Sequence, residues 1–143
     1  MLCLAAAAWV SVSCGKREEA SANSTAPGTA PTNAPSVSAV KPELALLAGK
    51  WERPDGGYVI EIKSVNSAGT LEAAYYNPNP IHVARAAALL KEGVPQVFIE
   101  LRDQNYPGCT YSLTYDPKSD QLYGQYFQAA IQETYNVTFA RLK

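Results

Sequence analysis

Hydrophobic and polar residues alternate along most of the chain from residue 49 onward, which is the pattern of β-strands with one buried face. Groups rich in Gly, Pro, Asn and Asp interrupt the alternation at short, even intervals, and each group favours a tight turn. Short strands joined by tight turns predict an antiparallel meander. The pattern gives eight strands, over residues 49–53, 58–63, 70–76, 81–90, 96–102, 109–115, 121–127 and 132–142.

The segment 81–92 also fits a helix. In that interpretation Asn79 is the N-cap, Pro80 is the first helical residue and Gly93 ends the helix. We favour a strand, because the neighbouring segments are all strands and the strand at 97–101 needs a partner.

The alternation also assigns the two faces of the predicted sheet. Charged and hydroxyl side chains such as Glu61, Glu100 and Thr114 share one face, so a register slip of one residue would bury them. A sheet of this size avoids open edges by closing, which predicts an all-β fold, an eight-stranded antiparallel up-and-down barrel. Its inner face is predicted to carry Trp51, Tyr58, Ile60, Ile62, Leu71, Ala73, Tyr75, Val83, Arg85, Ala87, Leu89, Val97, Ile99, Leu101, Tyr111, Leu113, Tyr115, Leu122, Gly124, Tyr126, Tyr135, Val137, Phe139 and Arg141.

Composition divides the chain into three regions. Residues 1–13 are uncharged and mostly apolar, which is typical of a signal peptide, and they fall short of the roughly 20 residues that a membrane-spanning helix needs. Residues 14–42 are rich in Pro, Ser, Ala and Gly and bury too little apolar surface to fold, which predicts a disordered linker. Residues 43–143 hold every Tyr and Phe and form the predicted β-barrel domain.

The run from Val10 to Cys14 resembles the lipobox of bacterial lipoproteins, with the small residue Ser13 before the cysteine. This resemblance implies that Cys14 is acylated and attaches the chain to a lipid bilayer. Gly15 follows where an Asp would imply retention in the inner membrane, so the resemblance implies the outer membrane of the bacterial cell envelope, facing the periplasm. The alternative is a short buried helix in which Cys14 packs as a small apolar residue.

The start of the barrel region resembles the calycins, the group that holds lipocalins, fatty-acid-binding proteins and avidins. Gly49-Lys50-Trp51 matches their Gly-x-Trp opening, and Gly69-Thr70-Leu71 follows at avidin-like spacing. In calycins a basic residue on the last strand packs over that tryptophan, and Arg141 lies where this residue is expected. The resemblance therefore implies a structural closure by Trp51 and Arg141. Biotin sites contain several tryptophans, whereas Trp51 is the only one after residue 43, so biotin binding is not implied.

Tyrosines and one arginine are the candidate ligand-binding residues of the barrel lumen. Six of the nine tyrosines fall on the predicted inner face, where phenol hydroxyls would orient a polar group of a ligand. Arg85 is the one charge placed in mid-strand there, and it would need an anionic ligand or a partner. The alternatives are a lumen filled by its own side chains and an Arg85 that faces water. The six tyrosines are Tyr58, Tyr75, Tyr111, Tyr115, Tyr126 and Tyr135.

Charge and residue types narrow the function further. The net charge is -1, so no basic surface for nucleic acid is predicted. His82 is the only histidine, which excludes a His-rich metal site, and we assign no catalytic residue, no metal and no cofactor. Cys109 either packs in the core or pairs with a second chain. We therefore expect a protein that is not an enzyme.

Two functions remain open. The first is an envelope lipoprotein that binds a small apolar or anionic molecule inside the barrel. The second is a protein-interaction module, similar to an inhibitor or a sensor, that uses its loops or its outer face. An outer patch of Ala84, Ala86, Ala88 and Phe98 would serve a protein partner or a homodimer.

Overall fold

The protein, described here as a computed structural model, is defined over residues 39–143. The predicted signal peptide, Cys14 and the predicted linker up to residue 38 lie outside the described residues. A four-residue helix, α1 (Pro42–Ala45), precedes the strands. The strands are β1 (Gly49–Arg53), β2 (Tyr58–Val65), β3 (Leu71–Asn77), β4 (Asn79–Ile81), β5 (Val83–Lys91), β6 (Val94–Asp103), β7 (Tyr106–Asp116), β8 (Gln121–Gln128) and β9 (Glu133–Arg141).

All nine strands belong to one antiparallel sheet, in the order β4-β3-β2-β1-β9-β8-β7-β6-β5. The all-β, antiparallel prediction is confirmed, and the segment at 81–92 contains the end of β4 and all of β5 instead of a helix. The predicted count of eight is wrong, because the short strand β4 folds back on β3 and pairs Asn77 with Asn79. Pro80 is tolerated in β4 because this strand lies at the edge of the sheet, where a missing N–H breaks no ladder.

The sheet curls into a nearly closed barrel. Strands β1 and β9 pair through Trp51 and Arg141, so the first and last strands of the barrel join as predicted. The seam lies between β3 and β5 instead. It is held by the Ala88 amide, which donates to the Gly69 carbonyl at 2.7 Å, and by an isolated β-bridge between Thr70 and Ala87.

The core fills the barrel between its two ends. Alternating positions on the strands are buried as predicted, for example Ile60 and Ile62 on β2 and Val97, Ile99 and Leu101 on β6. Leu44 of α1 and Leu47 after it are also buried, so the helix covers one end of the barrel. Cys109 is fully buried in this core and has no disulfide partner among the described residues.

The predicted facing of β5 is wrong beyond its first residue. Val83 pairs with Leu101 but Arg85 pairs with Glu100, so Ala84 is an extra residue in the strand, a β-bulge. The bulge exchanges the two faces of all that follows. Arg85 and Leu89 therefore lie on the outside, while Ala86 and Ala88, predicted to face outward, are buried.

Candidate functional site

One end of the barrel opens into a cavity of about 270 Å³, which we call the tyrosine cavity. Its walls come from the ends of β1, β3 and β8 and from the beginnings of β2 and β7. In an antiparallel sheet each strand ends where its neighbour begins, so these five strand ends lie together at one end of the barrel. The lining residues are Arg53, Tyr58, Tyr75, Asn77, Asn105, Tyr106, Tyr111, Tyr126 and Gln128.

Three tyrosines form the deep wall of the cavity. Tyr75 and Tyr111 are each 1% exposed, and their hydroxyls share a hydrogen bond of 2.9 Å. The Tyr126 ring stacks on the Tyr111 ring, with the two centroids 4.6 Å apart. Burial raises the pKa of all three phenols above the ordinary value of a tyrosine. These hydroxyls are therefore neutral at physiological pH and can both donate and accept hydrogen bonds.

Arg53 brings a positive charge to the same cavity. It shares the inner face of β1 with Trp51, two residues earlier, and its side chain is only 15% exposed. Its guanidinium lies 4.6 Å from the centre of the Tyr58 ring, a cation–π contact. Asp55, in the turn after β1, pairs with it and raises the pKa of the Arg53 guanidinium further above its ordinary value.

Amide side chains line the rim. The Asn77 Nδ2 atom donates to the Tyr106 hydroxyl at 2.6 Å, and the Tyr106 ring meets the Tyr75 ring edge to face at 6.0 Å. Asn105 and Gln128 add two further amides. The cavity thus combines one cation with neutral donors and acceptors on an aromatic wall.

The structure brings together four of the predicted lumen tyrosines, Tyr58, Tyr75, Tyr111 and Tyr126. Tyr115 lies at the other end of the barrel, where its hydroxyl donates to Asp120 at 3.0 Å. Tyr135 is 41% exposed and its hydroxyl donates to Glu133.

Arg85, the remaining predicted lumen residue, is on the outer face. Its guanidinium lies 5.6 Å from the centre of the Phe98 ring, so the predicted inward orientation of Arg85 is wrong. The cation in the lining of the tyrosine cavity is Arg53, the last residue of a predicted strand, which was not among the predicted site residues. Tyr106 was also missed, because it was placed in a turn. Arg53 follows from extending the alternation of β1 to its last residue, whereas Tyr106 reaches the inner face only because Gly108 is an extra residue in β7, where the pairing with β6 shifts.

The opposite end of the barrel is sealed around Trp51. The ring is fully buried and its Nε1 atom donates to the Leu47 carbonyl at 3.0 Å. The Arg141 guanidinium covers the ring, with its carbon 4.0 Å from the ring centre. It also donates to the Ala48 and Leu46 carbonyls, at 2.7 Å each, and to Asp120 at 2.9 Å. The predicted contact between Arg141 and the Trp51 ring is thus present.

A second concavity, which we call the outer groove, crosses the outside of β5, β6 and β7 and measures about 420 Å³. Leu89 in its wall is 55% exposed. Because of the bulge, its apolar side chains are Ala87, Leu89 and Phe98, in place of the predicted patch of Ala84, Ala86 and Ala88 with Phe98.

No cluster of three or more His, Cys, Asp or Glu side chains occurs in residues 39–143 that could hold a metal ion. The same part of the chain has no helix with the length and apolar character needed to cross a membrane. Comparison of the chain with family models, with curated proteins and with solved structures finds no match.

Proposed function

We propose that this protein is a lipid-anchored lipoprotein of the bacterial envelope whose calycin-like barrel binds a small polar or anionic molecule in the tyrosine cavity. The observation that carries the proposal is the contrast between the two ends of the barrel. One end is sealed by Trp51 and Arg141, while the other presents a guanidinium, phenol hydroxyls and amides around an open cavity. Ligand sites commonly consist of an aromatic wall with a few convergent polar groups.

The size and lining of the cavity limit which ligands it can bind. A volume of about 270 Å³ is roughly that of nine water molecules, so it suits a compact molecule and not a long lipid chain. A purely apolar ligand would displace water from Arg53 and from the tyrosine hydroxyls without offering them a hydrogen bond, which costs free energy. Of the two ligand classes expected from the sequence, the anionic class is therefore favoured over the apolar one.

Binding, without catalysis, is the role we propose for this site. An efficient general acid or base has a pKa close to the pH at which the protein works. Burial raises the pKa of Tyr75, Tyr111 and Tyr126 further above neutral pH. The carboxylate beside the cavity, Asp55, is engaged with Arg53, which lowers its pKa.

A ligand screen on the purified domain tests this function. A panel of small acids, amides and polyols would be monitored by the NMR signals of the tyrosine rings. The matched variants are Tyr126→Phe and Tyr135→Phe, because these residues pair across β8 and β9 but only Tyr126 lines the cavity. We expect Tyr126→Phe to weaken a bound ligand about tenfold and Tyr135→Phe to leave it unchanged. Ligands that shift only signals outside the cavity would contradict the proposal.

The anchor requires its own test, since Cys14 lies outside the described residues. Mass spectrometry of the membrane fraction should find a diacyl adduct on Cys14, and Cys14→Ser should release the protein from that fraction. A mature protein that starts at another residue would refute the anchor and leave the cavity proposal standing.

A second candidate function, a protein-interaction module, is favoured by the outer groove. Its exposed Leu89 and half-buried Phe98 lie beside Arg85 on a surface that is otherwise hydroxyl-rich. Leu89→Asp should then abolish self-association in sedimentation measurements, or crosslinking to an envelope protein, without affecting thermal stability. If the wild type and the variant behave alike in both assays, the outer groove has no such role.

A further inference from the structure

We propose that Asp55 occupies the position of a ligand carboxylate, so that the tyrosine cavity is selective for small carboxylic acids that displace Asp55 from Arg53. This inference rests on the proposed function and adds the chemical class of its ligand and the residue that competes with it.

The geometry of the Arg53–Asp55 pair is that of a bound carboxylate. The Arg53 Nε atom lies 2.8 Å from Asp55 Oδ1, and the Nη2 atom lies 2.5 Å from Oδ2. Two parallel hydrogen bonds of this kind are the preferred arrangement between a guanidinium and a carboxylate. The planar carboxylate of a ligand would therefore find the same two donors already oriented.

The two partners are held very differently. The Arg53 side chain is 15% exposed on the inner face and lies against the Tyr58 ring, whereas the Asp55 side chain is 65% exposed in the turn between β1 and β2. Among residues 39–143, the Asp55 side chain forms its hydrogen bonds with Arg53 alone. Moving Asp55 into water requires only a turn side chain to rotate, while Arg53 cannot leave without losing its contact with Tyr58.

Burial explains why the arginine needs a carboxylate at all. A cation that is largely removed from water is costly unless an anion pairs with it, and Asp55 fills this need in the free protein. A ligand carboxylate would satisfy the same requirement, so the net change in charge pairing on exchange is small. The gain would come from the rest of the ligand, which would enter the space between Tyr75, Tyr111 and Tyr126.

A neutral isostere does not share this advantage. An amide offers one carbonyl oxygen and a donor NH₂ group, and that donor would face the guanidinium donors of Arg53. Displacing Asp55 with an amide would also leave the cation without its anion. The site should therefore prefer a carboxylate to the amide of the same shape.

The test compares acetate and benzoate with acetamide and benzamide on three proteins. These are the wild type, Asp55→Asn and the matched control Glu52→Gln, which removes the same charge three residues away in the strand beside the turn. Binding would be followed by NMR signals of the Arg53 Nε–H group and the tyrosine rings. We expect Asp55→Asn to tighten carboxylate binding three- to tenfold and to leave amide binding unchanged, with Glu52→Gln close to the wild type.

A second variant, Arg53→Lys, keeps the charge but loses the two-donor fork, and it should remove the preference for carboxylates. Equal binding of carboxylates to the wild type and to Asp55→Asn would overturn the inference, as would equal binding of acid and amide. If no carboxylate binds Asp55→Asn but neutral molecules from the wider panel shift the cavity tyrosines, the carboxylate inference fails and the proposed function stands. If nothing shifts the cavity signals in any variant, both fail. Asp55 is exposed, so this variant is expected to fold, and the result does not depend on the stability of Arg53→Lys.

Discussion

The sealed end of the barrel allows a quantitative test of whether Trp51 and Arg141 act together. The perturbations are Trp51→Ala, Arg141→Ala and the double variant, with Arg102→Ala as the control for removing an exposed arginine. In the structure the guanidinium carbon of Arg141 lies 4.0 Å from the centre of the Trp51 ring. A direct contact of this kind predicts that the two losses in stability are not independent.

The magnitudes follow from burial and bonding. Trp51 is fully buried, so Trp51→Ala should lower the free energy of unfolding by about 3–5 kcal/mol. Arg141→Ala removes a cation–π contact of about 0.5–2 kcal/mol and the bonds to two carbonyls. Water can reach this end, since the Arg141 side chain is 23% exposed, and hydration of the freed carbonyls limits the total to about 1–3 kcal/mol. The coupling energy should be on the order of 1–2 kcal/mol, so the double variant loses less than the sum.

Urea unfolding followed by far-UV circular dichroism is the suitable assay. Fluorescence is unsuitable because Trp51 is the only tryptophan after residue 43. Arg102→Ala should cost below about 1 kcal/mol, because its pair with Glu100 is on the surface and the arginine is 65% exposed. If the losses from Trp51→Ala and Arg141→Ala add within about 0.5 kcal/mol, the two side chains do not interact and the closure is wrong.

Three further outcomes are expected. Gly69→Ala should lower the free energy of unfolding in urea by about 1–3 kcal/mol, because Gly69 has a φ of +83° and a Cβ there would lie 2.3 Å from the Ala88 carbonyl oxygen at the seam. Gly93→Ala is the control for backbone strain alone, since Gly93 also has a positive φ but open space around its Cβ. Stability should fall above pH 10 by about 1.4 kcal/mol per pH unit for each of Tyr75, Tyr111 and Tyr126, because their raised pKa values keep them protonated in the folded state while the unfolded chain ionises. Ring NMR shifts assigned to these three tyrosines that report ionisation before the barrel unfolds would contradict this. Deleting residues 15–38 should change the unfolding free energy of the barrel by less than about 0.5 kcal/mol, since their composition predicts a solvated linker, and a larger loss would show that they pack on the barrel.

Most of the sheet could be predicted because its strands carry strong contrast between their faces. On β6, Val97, Ile99 and Leu101 alternate with Phe98, Glu100 and Arg102, and the register is fixed by the cost of burying the charges. The turns were predictable for a similar reason, since Gly and Pro mark them. Both patterns lie within single strands and turns, and they predict the folded structure correctly because each strand buries one face.

The register of β5 could not be predicted from the same signal. Its sequence from Ala84 to Ala88 is Ala-Arg-Ala-Ala-Ala, and alanine is small enough for either face. Only the pairing with β6 determines that Ala84 is bulged and that Ala86 and Ala88 are buried. Arg85 was therefore assigned to the lumen by an alternation that the bulge interrupts, and the outer patch was misplaced by the same shift.

The candidate site was predictable in its aromatic part and missed in its charged part. Tyr75, Tyr111 and Tyr126 sit in the middle of alternating strands, whereas Arg53 is the last residue of β1 and borders a turn. Charged residues beside turns are usually solvated, so sequence alone favours the exposed interpretation. Arg53 is covered because Tyr58 folds back across the turn beneath its guanidinium.

The two inner-face arginines show how similar parts give different roles. Each guanidinium lies on an aromatic ring and pairs with an aspartate from a turn. Arg141 lies on Trp51 and pairs with Asp120. Arg53 lies on Tyr58 and pairs with Asp55. Arg141 also donates hydrogen bonds to two main-chain carbonyls, which hold the segment before β1 against the last strand. Arg53 directs its hydrogen bonds to Asp55, a single side chain that water can hydrate as well, and Arg53 itself lines the cavity. The first arrangement cannot release its arginine without opening the barrel, while the second can exchange its aspartate and keep the fold, which is the property that a binding site requires.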